Sequence, residues 1–83
     1  MESELRSNLM ACASAFVAVR GLSLTTLGRL AAGDWRFFDR VAEGSTTFTA
    51  RKYDEVMVWF DEHWPDGAEW PADVPRPFAE VRT

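Results

Sequence analysis

Arg36 and Arg40 stand four positions apart in the run WRFFDR, which covers residues 35–40. On an α-helix this spacing places both guanidinium groups on one face, one turn apart. Arginine is the side chain best suited to bidentate hydrogen bonds with the O6 and N7 atoms of guanine. Trp35 and Asp39 belong to the same outward side, where Trp35 could contact thymine methyl groups or the sugar-phosphate backbone. The pattern therefore predicts a helix face that reads DNA base pairs.

The same residues allow two other interpretations. Arg36, Asp39 and Arg40 could form a solvated face held together by local ion pairs, which contribute little to stability. Trp35 could instead close the core between two neighbouring helices, because large aromatic side chains are often mostly buried.

The residues before and after this face predict two short helices joined by a tight turn. Gly33 does not continue a helix comfortably, and Asp34 is a strong N-cap, so we expect one helix to end at 33 and the next to span 34–43. Ser23 is the expected N-cap of the first helix, and Gly44 is the expected stop of the second. The inward positions are Leu27, Leu30 and Ala31 in the first helix and Phe37, Phe38 and Val41 in the second. Such a pair is typical of a helix-turn-helix.

Two longer apolar stripes flank this unit. An N-terminal helix is predicted to end near Arg20 and Gly21, and a fourth helix to begin at Thr47 or Thr49 and to end at Pro65. Their stripes are Leu5, Leu9, Cys12, Phe16 and Val19, and then Tyr53, Val56, Met57, Phe60 and Trp64. Beyond them, three prolines predict an extended or turn-like tail with Trp70 and Phe78 as anchors. The fold expected is all-α: a small bundle of four to five helices in residues 1–65, followed by a Pro/Trp-rich tail in 66–83.

Charge is divided along the chain. The net charge is −4, yet residues 20–52 carry six basic against three acidic side chains, whereas residues 53–83 carry eight acidic against two basic ones. Such asymmetry favours a polyanion-facing segment in the middle third. The candidate phosphate-binding residues lie there: Thr25, Thr26, Arg29, Ser45, Thr46, Thr47, Arg51 and Lys52.

Residues 21–60, GLSLTTLGRLAAGDWRFFDRVAEGSTTFTARKYDEVMVWF, resemble the phage repressor and Cro family, which is the lambda-repressor-like or XRE-type class of helix-turn-helix proteins. The resemblance implies base reading by Trp35, Arg36 and Arg40, with Asp39 as a further candidate. It also implies a homodimer on a palindromic operator and a role in transcriptional repression. Three departures stand out. Many family members carry Ala at the position of Gly28 and Gln at that of Trp35, and their turn glycine usually comes one residue before Gly33, with an apolar residue at the position of Gly33.

Apolar residues outside the main stripes suggest contact with a second copy. Val58 and Trp59 lie off the stripe of the fourth helix, and Trp70 lies in the tail, so these three residues are the expected dimer interface. A tail that packs on its own subunit is the competing arrangement.

A different class of function remains open. The acidic residues of 54–73 could dock on a basic partner, which would make the chain a small helical antirepressor or protein-interaction module. An enzyme is not expected, because the sequence has no Gly-rich phosphate loop and no activated nucleophile. One cysteine and one histidine predict no zinc site and no disulfide, and no cofactor is expected. Without an export signal or a membrane span, we expect a cytoplasmic protein. The family resemblance implies a bacterial or phage origin.

Overall fold

A computed structural model describes residues 2–44 and 47–76, and over these ranges the chain forms four α-helices and no strand. The helices are α1 (Glu2–Arg20), α2 (Leu24–Ala32), α3 (Phe37–Glu43) and α4 (Ala50–His63). Residues 64–76 follow α4 as turns and extended backbone. The predicted all-α bundle is confirmed, with four helices in the described part of the chain.

Local signals define most helix ends. The Ser23 hydroxyl accepts the Thr26 backbone N–H at 3.2 Å, and the Thr49 hydroxyl accepts the Lys52 N–H at 3.0 Å. Both residues are therefore N-caps, which satisfy amides that have no partner within the first helical turn. Of the two candidates for the start of α4, Thr49 is the one that caps it.

The core lies where the four helices meet and is closed by one residue of the C-terminal segment. Each helix contributes most of the face that its apolar spacing predicts, whereas Val19 and Leu30 are exposed and Leu5 is only partly buried. The buried apolar residues are Leu9, Cys12, Ala13, Phe16, Leu27, Phe37, Phe38, Val41, Val56, Met57, Phe60 and Val74.

Val19 and Leu30 were predicted to face inward, and both predictions are wrong, because each side chain is 55% exposed. Val19 belongs to the last turn of α1, where residues 18–20 are all exposed. In α2 the buried side is centred on Leu27 and Gly28. At about 100° per residue, position 30 falls outside that arc.

Aromatic rings connect α1, α3 and α4. The Phe16 ring lies 5.3 Å from Trp59, 5.7 Å from Phe60 and 5.8 Å from Trp64, measured between centroids. Phe38 extends the cluster from α3, at 6.1 Å from Phe60. These tilted contacts are a geometry that aromatic pairs prefer.

Two Trp-Pro sequences after α4 fold into the same turn. In each, the proline carbonyl accepts the backbone N–H three residues further on, and the indole N–H of the preceding tryptophan donates to the carbonyl of that same later residue. The two bonds measure 3.2 and 3.0 Å at Trp64, Pro65 and Ala68, and 3.1 and 2.9 Å at Trp70, Pro71 and Val74. The repeated turn leads the chain back to the core, where Val74 is buried.

Among the described residues, no single helix is long and apolar enough to cross a lipid bilayer; α1 and α2 meet that test only as a pair, and they are bent by 114° at the break between them.

Candidate nucleic-acid interface

The turn between α2 and α3, residues 33–36, lies directly on Gly28. Gly33 ends α2 in the left-handed conformation, with φ 70°, and the Asp34 N–H donates to the Gly28 carbonyl at 3.2 Å. A Cβ at position 28 would lie 2.6 Å from the Asp34 carbonyl oxygen and 3.2 Å from that of Trp35. Only glycine lets the turn approach α2 this closely. This contact gives a physical reason for glycine at position 28.

Asp34 does not begin a helix, so the prediction that the third helix spans 34–43 is wrong at its first residues: α3 begins at Phe37. The Asp34 carboxylate oxygen Oδ1 accepts the Arg36 N–H at 3.0 Å, and the Asp34 carbonyl accepts the Phe37 N–H at 3.0 Å. An aspartate that bonds the backbone two residues later forms an Asx turn, which competes with helix formation. Trp35 and Arg36 therefore lie in the turn that precedes α3.

The four residues predicted to read bases all lie on the protein surface. Trp35 is 54% exposed, so it does not close the core, and Arg36, Asp39 and Arg40 are exposed as well. The Arg40 N–H donates to the Arg36 carbonyl at 3.0 Å, so the two arginines remain one helical turn apart. The structure thus presents both guanidinium groups and one indole ring together.

Two contacts orient the arginines. The guanidinium carbon of Arg36 lies 5.4 Å from the centroid of the Trp35 ring, a cation–π contact. Nη1 of Arg40 lies 3.7 Å from Oδ2 of Asp34, and both side chains are less than half exposed, at 45% and 42%. The local ion pairing that the sequence left open is therefore present, although it involves Asp34 and no such contact of Asp39 is seen in the described residues.

The predicted phosphate-binding residues that the structure describes lie on α2, directly before α4 and in the first turn of α4. Thr25 and Arg29 are exposed on α2, and Thr47 is exposed before α4. The Thr26 hydroxyl accepts a hydrogen bond from the Ser23 hydroxyl at 3.2 Å. Ser45 and Thr46, which belong to the same prediction, lie outside the described residues.

The two basic residues at the start of α4 differ in their surroundings. Arg51 is exposed and lies 3.6 Å from Glu55, one turn along the helix. Lys52 donates from Nζ to the Ala32 carbonyl at 2.7 Å, and its ammonium group lies 6.0 Å from the centroid of the Phe37 ring. Lys52 therefore joins α4 to the carbonyl end of α2, a favourable place for a cation. Sequence reasoning missed this contact because it spans twenty positions.

The residues predicted to form a dimer interface are partly buried within one chain. Val58 and Trp59 are each half-buried on α4, and the Trp59 ring stacks on His63 with a centroid distance of 4.3 Å. The Trp70 ring lies 4.8 Å from Trp64. Up to residue 76, the C-terminal segment packs on its own helices, which is the arrangement that the sequence offered as the alternative.

Asp61 is one of the acidic residues of 54–73 that the sequence offered for docking on a basic partner, and it is buried instead of lying on the surface. Its side chain is fully enclosed, and Oδ1 accepts a hydrogen bond from Nε of Arg76 at 2.6 Å. A charged group loses its hydration on burial, so it needs a partner of opposite charge. The other acids of α4 and the following turns are exposed: Asp54, Glu55, Glu62, Asp66, Glu69 and Asp73.

Burial changes the pKa of two side chains, Cys12 and Tyr53. Burial raises the pKa of the Cys12 thiol to about 12 from its usual 9.0, and the positive charge of Arg76 partly offsets this rise. Burial also raises the pKa of Tyr53, whose hydroxyl accepts a hydrogen bond from the Asn8 amide at 3.1 Å. Among the described residues, no three His, Cys, Asp or Glu side chains are grouped so as to hold a metal ion.

Comparison with known proteins found no matching family model, no matching curated protein and no matching solved structure.

Proposed function

We propose that the chain is a sequence-specific regulator of transcription that binds duplex DNA through α3 and the turn before it. One observation carries the proposal: the turn built on Gly28 leaves Trp35, Arg36 and Arg40 exposed together on one surface. In a helix-turn-helix, exposed side chains at the start of the second helix contact base edges in the major groove, which supports the proposal.

Each side chain has a role that follows from its chemistry. Arg36 and Arg40 donate to guanine O6 and N7, since a planar guanidinium matches that pair of acceptors. Trp35 contacts thymine methyl groups or deoxyribose, and Asp39 can accept from the amino group of cytosine. Thr25, Arg29 and Arg51, together with Thr26, Lys52 and residues 45–47, contribute phosphate contacts that position the helix.

The basic excess lies beside the proposed surface and not on it. Residues 24–43, which include α2, the turn and α3, carry three basic and three acidic side chains, so the excess of residues 20–52 comes from Arg20, Arg51 and Lys52. Basic groups beside a binding surface attract a polyanion to it. We expect the exposed acids of residues 54–73 to face away from the DNA.

We further propose that two copies act together as a repressor in the cytoplasm of a bacterium or a phage-infected cell. A two-fold dimer would place two α3 helices in successive major grooves about 34 Å apart and would block a promoter by occupying it. Val58 and Trp59 lie half-exposed on α4 and are the proposed contact, with Trp70 as a further candidate. Sedimentation of the free chain and of its DNA complex measures the number of copies directly.

The deciding experiment is selection from a random duplex library, followed by binding of the selected duplex at several salt concentrations. Wild type is compared with Arg36→Ala, Arg40→Ala and the control Arg20→Ala, which removes the same charge at the exposed end of α1. We expect an enriched palindrome, and a loss of about 5- to 150-fold in affinity for each of the first two variants if each forms a bidentate base contact. The control should lose only the small effect of one general positive charge.

Two outcomes would overturn the proposal. Equal losses for all three variants, with no enriched sequence, would indicate a non-specific binder. An absence of binding at low salt would favour the second candidate function, a protein-interaction module, which is supported by the exposure of all the acids of α4 and the following turns except Asp61. Charge reversal at Asp54, Glu55 and Glu62 would then abolish partner binding.

A further inference from the structure

We propose that Asp34 is a positioning residue that determines specificity, because one carboxylate holds both the turn at Arg36 and the guanidinium of Arg40. This inference rests on the proposed DNA-binding function and extends it to a residue that touches no base itself. Asp34 directs Arg40 toward a base edge and away from phosphate.

The two oxygens of the carboxylate have separate partners. Oδ1 accepts the Arg36 backbone N–H at 3.0 Å, and Oδ2 lies 3.7 Å from Nη1 of Arg40. The first contact shapes the turn, and the second limits the directions in which the Arg40 side chain can extend.

The carboxylate is itself held in place by the backbone. The Asp34 N–H donates to the Gly28 carbonyl at 3.2 Å, and the Asp34 carbonyl accepts the Phe37 N–H at 3.0 Å. Asp34 is therefore bonded both to the end of α2 and to the start of α3. A side chain anchored in this way can orient its neighbour without moving with it.

The chemistry of the pair favours guanine over phosphate. A guanidinium has five N–H donors, so one contact with Asp34 leaves a fork free for a base edge. A phosphate at Arg40 would carry a negative charge close to the negative carboxylate, whereas guanine O6 and N7 belong to a neutral base.

Asp34→Asn separates the two contacts. Asparagine keeps a side-chain oxygen for the Arg36 N–H and therefore keeps the turn, but it removes the charge that holds Arg40. We expect affinity for a non-specific duplex to rise about twofold to fivefold, in line with one exposed ion pair, and affinity for the selected duplex to rise less. The ratio of specific to non-specific affinity should fall, and the salt dependence of non-specific binding should steepen by up to about one phosphate contact.

The matched control is the same substitution in an Arg40→Ala background. If Asp34 acts through Arg40, adding Asp34→Asn to that background leaves the affinity ratio unchanged, whereas a general effect of charge would appear in both backgrounds. Circular dichroism and thermal unfolding of each variant verify that the fold is retained. These folding measurements do not depend on the salt slope of DNA binding. A change in that slope with the fold retained therefore indicates a positioning role and not a merely structural one.

The possible failures are distinguishable. A wild-type chain that selects a duplex, with an unchanged affinity ratio in Asp34→Asn, overturns the role of Asp34 and leaves the proposed function standing. A fall in the ratio that persists without Arg40 also overturns it. A wild-type chain that binds no duplex overturns both proposals together.

Discussion

Nε of Arg76 lies 2.6 Å from a carboxylate oxygen of Asp61, and this ion pair joins the C-terminal segment to α4 at a point where the Asp61 side chain has no exposed surface. The guanidinium carbon of Arg76 also lies 4.8 Å from the centroid of the Trp70 ring. Arg76 therefore connects the second Trp-Pro turn to the last helix. The C-terminal segment is part of the folded domain up to this residue.

Arg76→Met should lower the free energy of unfolding by about 1–3 kcal/mol, because it leaves a buried carboxylate without its guanidinium partner. Urea denaturation followed by circular dichroism measures this change. The control is Arg51→Met, whose partner Glu55 lies on the surface and whose own side chain is 89% exposed. That pair should contribute less than about 1 kcal/mol. Equal effects in the two variants would contradict the structural importance of the Asp61–Arg76 pair.

Gly28→Ala should destabilise the protein even though alanine is the better helix former. Alanine gains about 1 kcal/mol of helix propensity, and forcing an extra methyl group into a well-packed site costs about 1–3 kcal/mol. Here the methyl group would meet a backbone oxygen at 2.6 Å, and a backbone atom cannot move aside as a flexible side chain does. We expect a net loss in urea denaturation, together with weaker DNA binding, because the turn carrying Trp35 and Arg36 must shift.

Gly67→Ala serves as the control for this prediction. Gly67 has φ 82°, and a Cβ added there would meet no other atom within 4 Å, so alanine at this position costs backbone strain alone. DNA binding should be unaffected, since this turn follows α4. If Gly28→Ala matched wild type in both stability and binding, the close approach of the turn to α2 would be incorrect.

Lys52→Met should lower the free energy of unfolding by about 1–2 kcal/mol, because it removes a charged hydrogen bond at the carbonyl end of a helix. The bond runs from Nζ to the Ala32 carbonyl at 2.7 Å and joins α4 to α2. Arg29→Met removes the same charge from an exposed position in the last turn of α2 and should change stability by less than about 0.5 kcal/mol. Thermal unfolding of both variants provides the comparison, and a larger effect at Arg29 would refute the prediction.

The Cys12 thiol should resist alkylation in the folded state. Burial raises its pKa to about 12, whereas the unfolded chain has the ordinary value of 9.0. Below pH 9 both states keep the proton, so the thiol has no effect on the pH dependence of stability there. Above pH 9 the unfolded state loses its proton first, and the free energy of unfolding falls as the pH rises toward 12.

Iodoacetamide labelling at pH 8, followed by mass spectrometry, tests this prediction with and without urea. Labelling should be slow without urea and rapid once the chain unfolds. A native rate equal to that of a free thiol would show that Cys12 is accessible. Because burial also raises the pKa of Tyr53, Cys12→Ala should reduce the loss of stability above pH 9 without abolishing it.

The features that the sequence predicted correctly depend on neighbouring residues. The caps at Ser23 and Thr49, the stops at Gly33 and Gly44, and the inward faces of α3 and α4 follow from local hydrogen bonding and helical periodicity. These are short-range interactions, so the residues themselves encode them.

The features that were missed depend on where distant parts of the chain meet. Leu30 is exposed because the turn between α2 and α3 packs on another side of α2. The burial of Asp61 depends on Arg76, which lies fifteen residues away in the C-terminal segment. Asp34 is a different case, because an aspartate can cap either a helix or a turn, and here it forms a turn that lies against Gly28. The tripeptides HWP and EWP, residues 63–65 and 69–71, are a repeat that can be seen in the sequence. The hydrogen bonds of the two turns could not be predicted from it.

The four tryptophans divide into two optical environments. Trp35 stands in solvent on the proposed DNA-binding surface, whereas Trp59, Trp64 and Trp70 lie half-buried in or beside the aromatic cluster. An aqueous quencher such as iodide should therefore remove the fluorescence of Trp35 first and leave that of the other three. In the unmodified chain, the fluorescence of Trp35 therefore reports contact with a ligand at the proposed surface. The fluorescence of the other three tryptophans reports separately on detachment of the C-terminal segment.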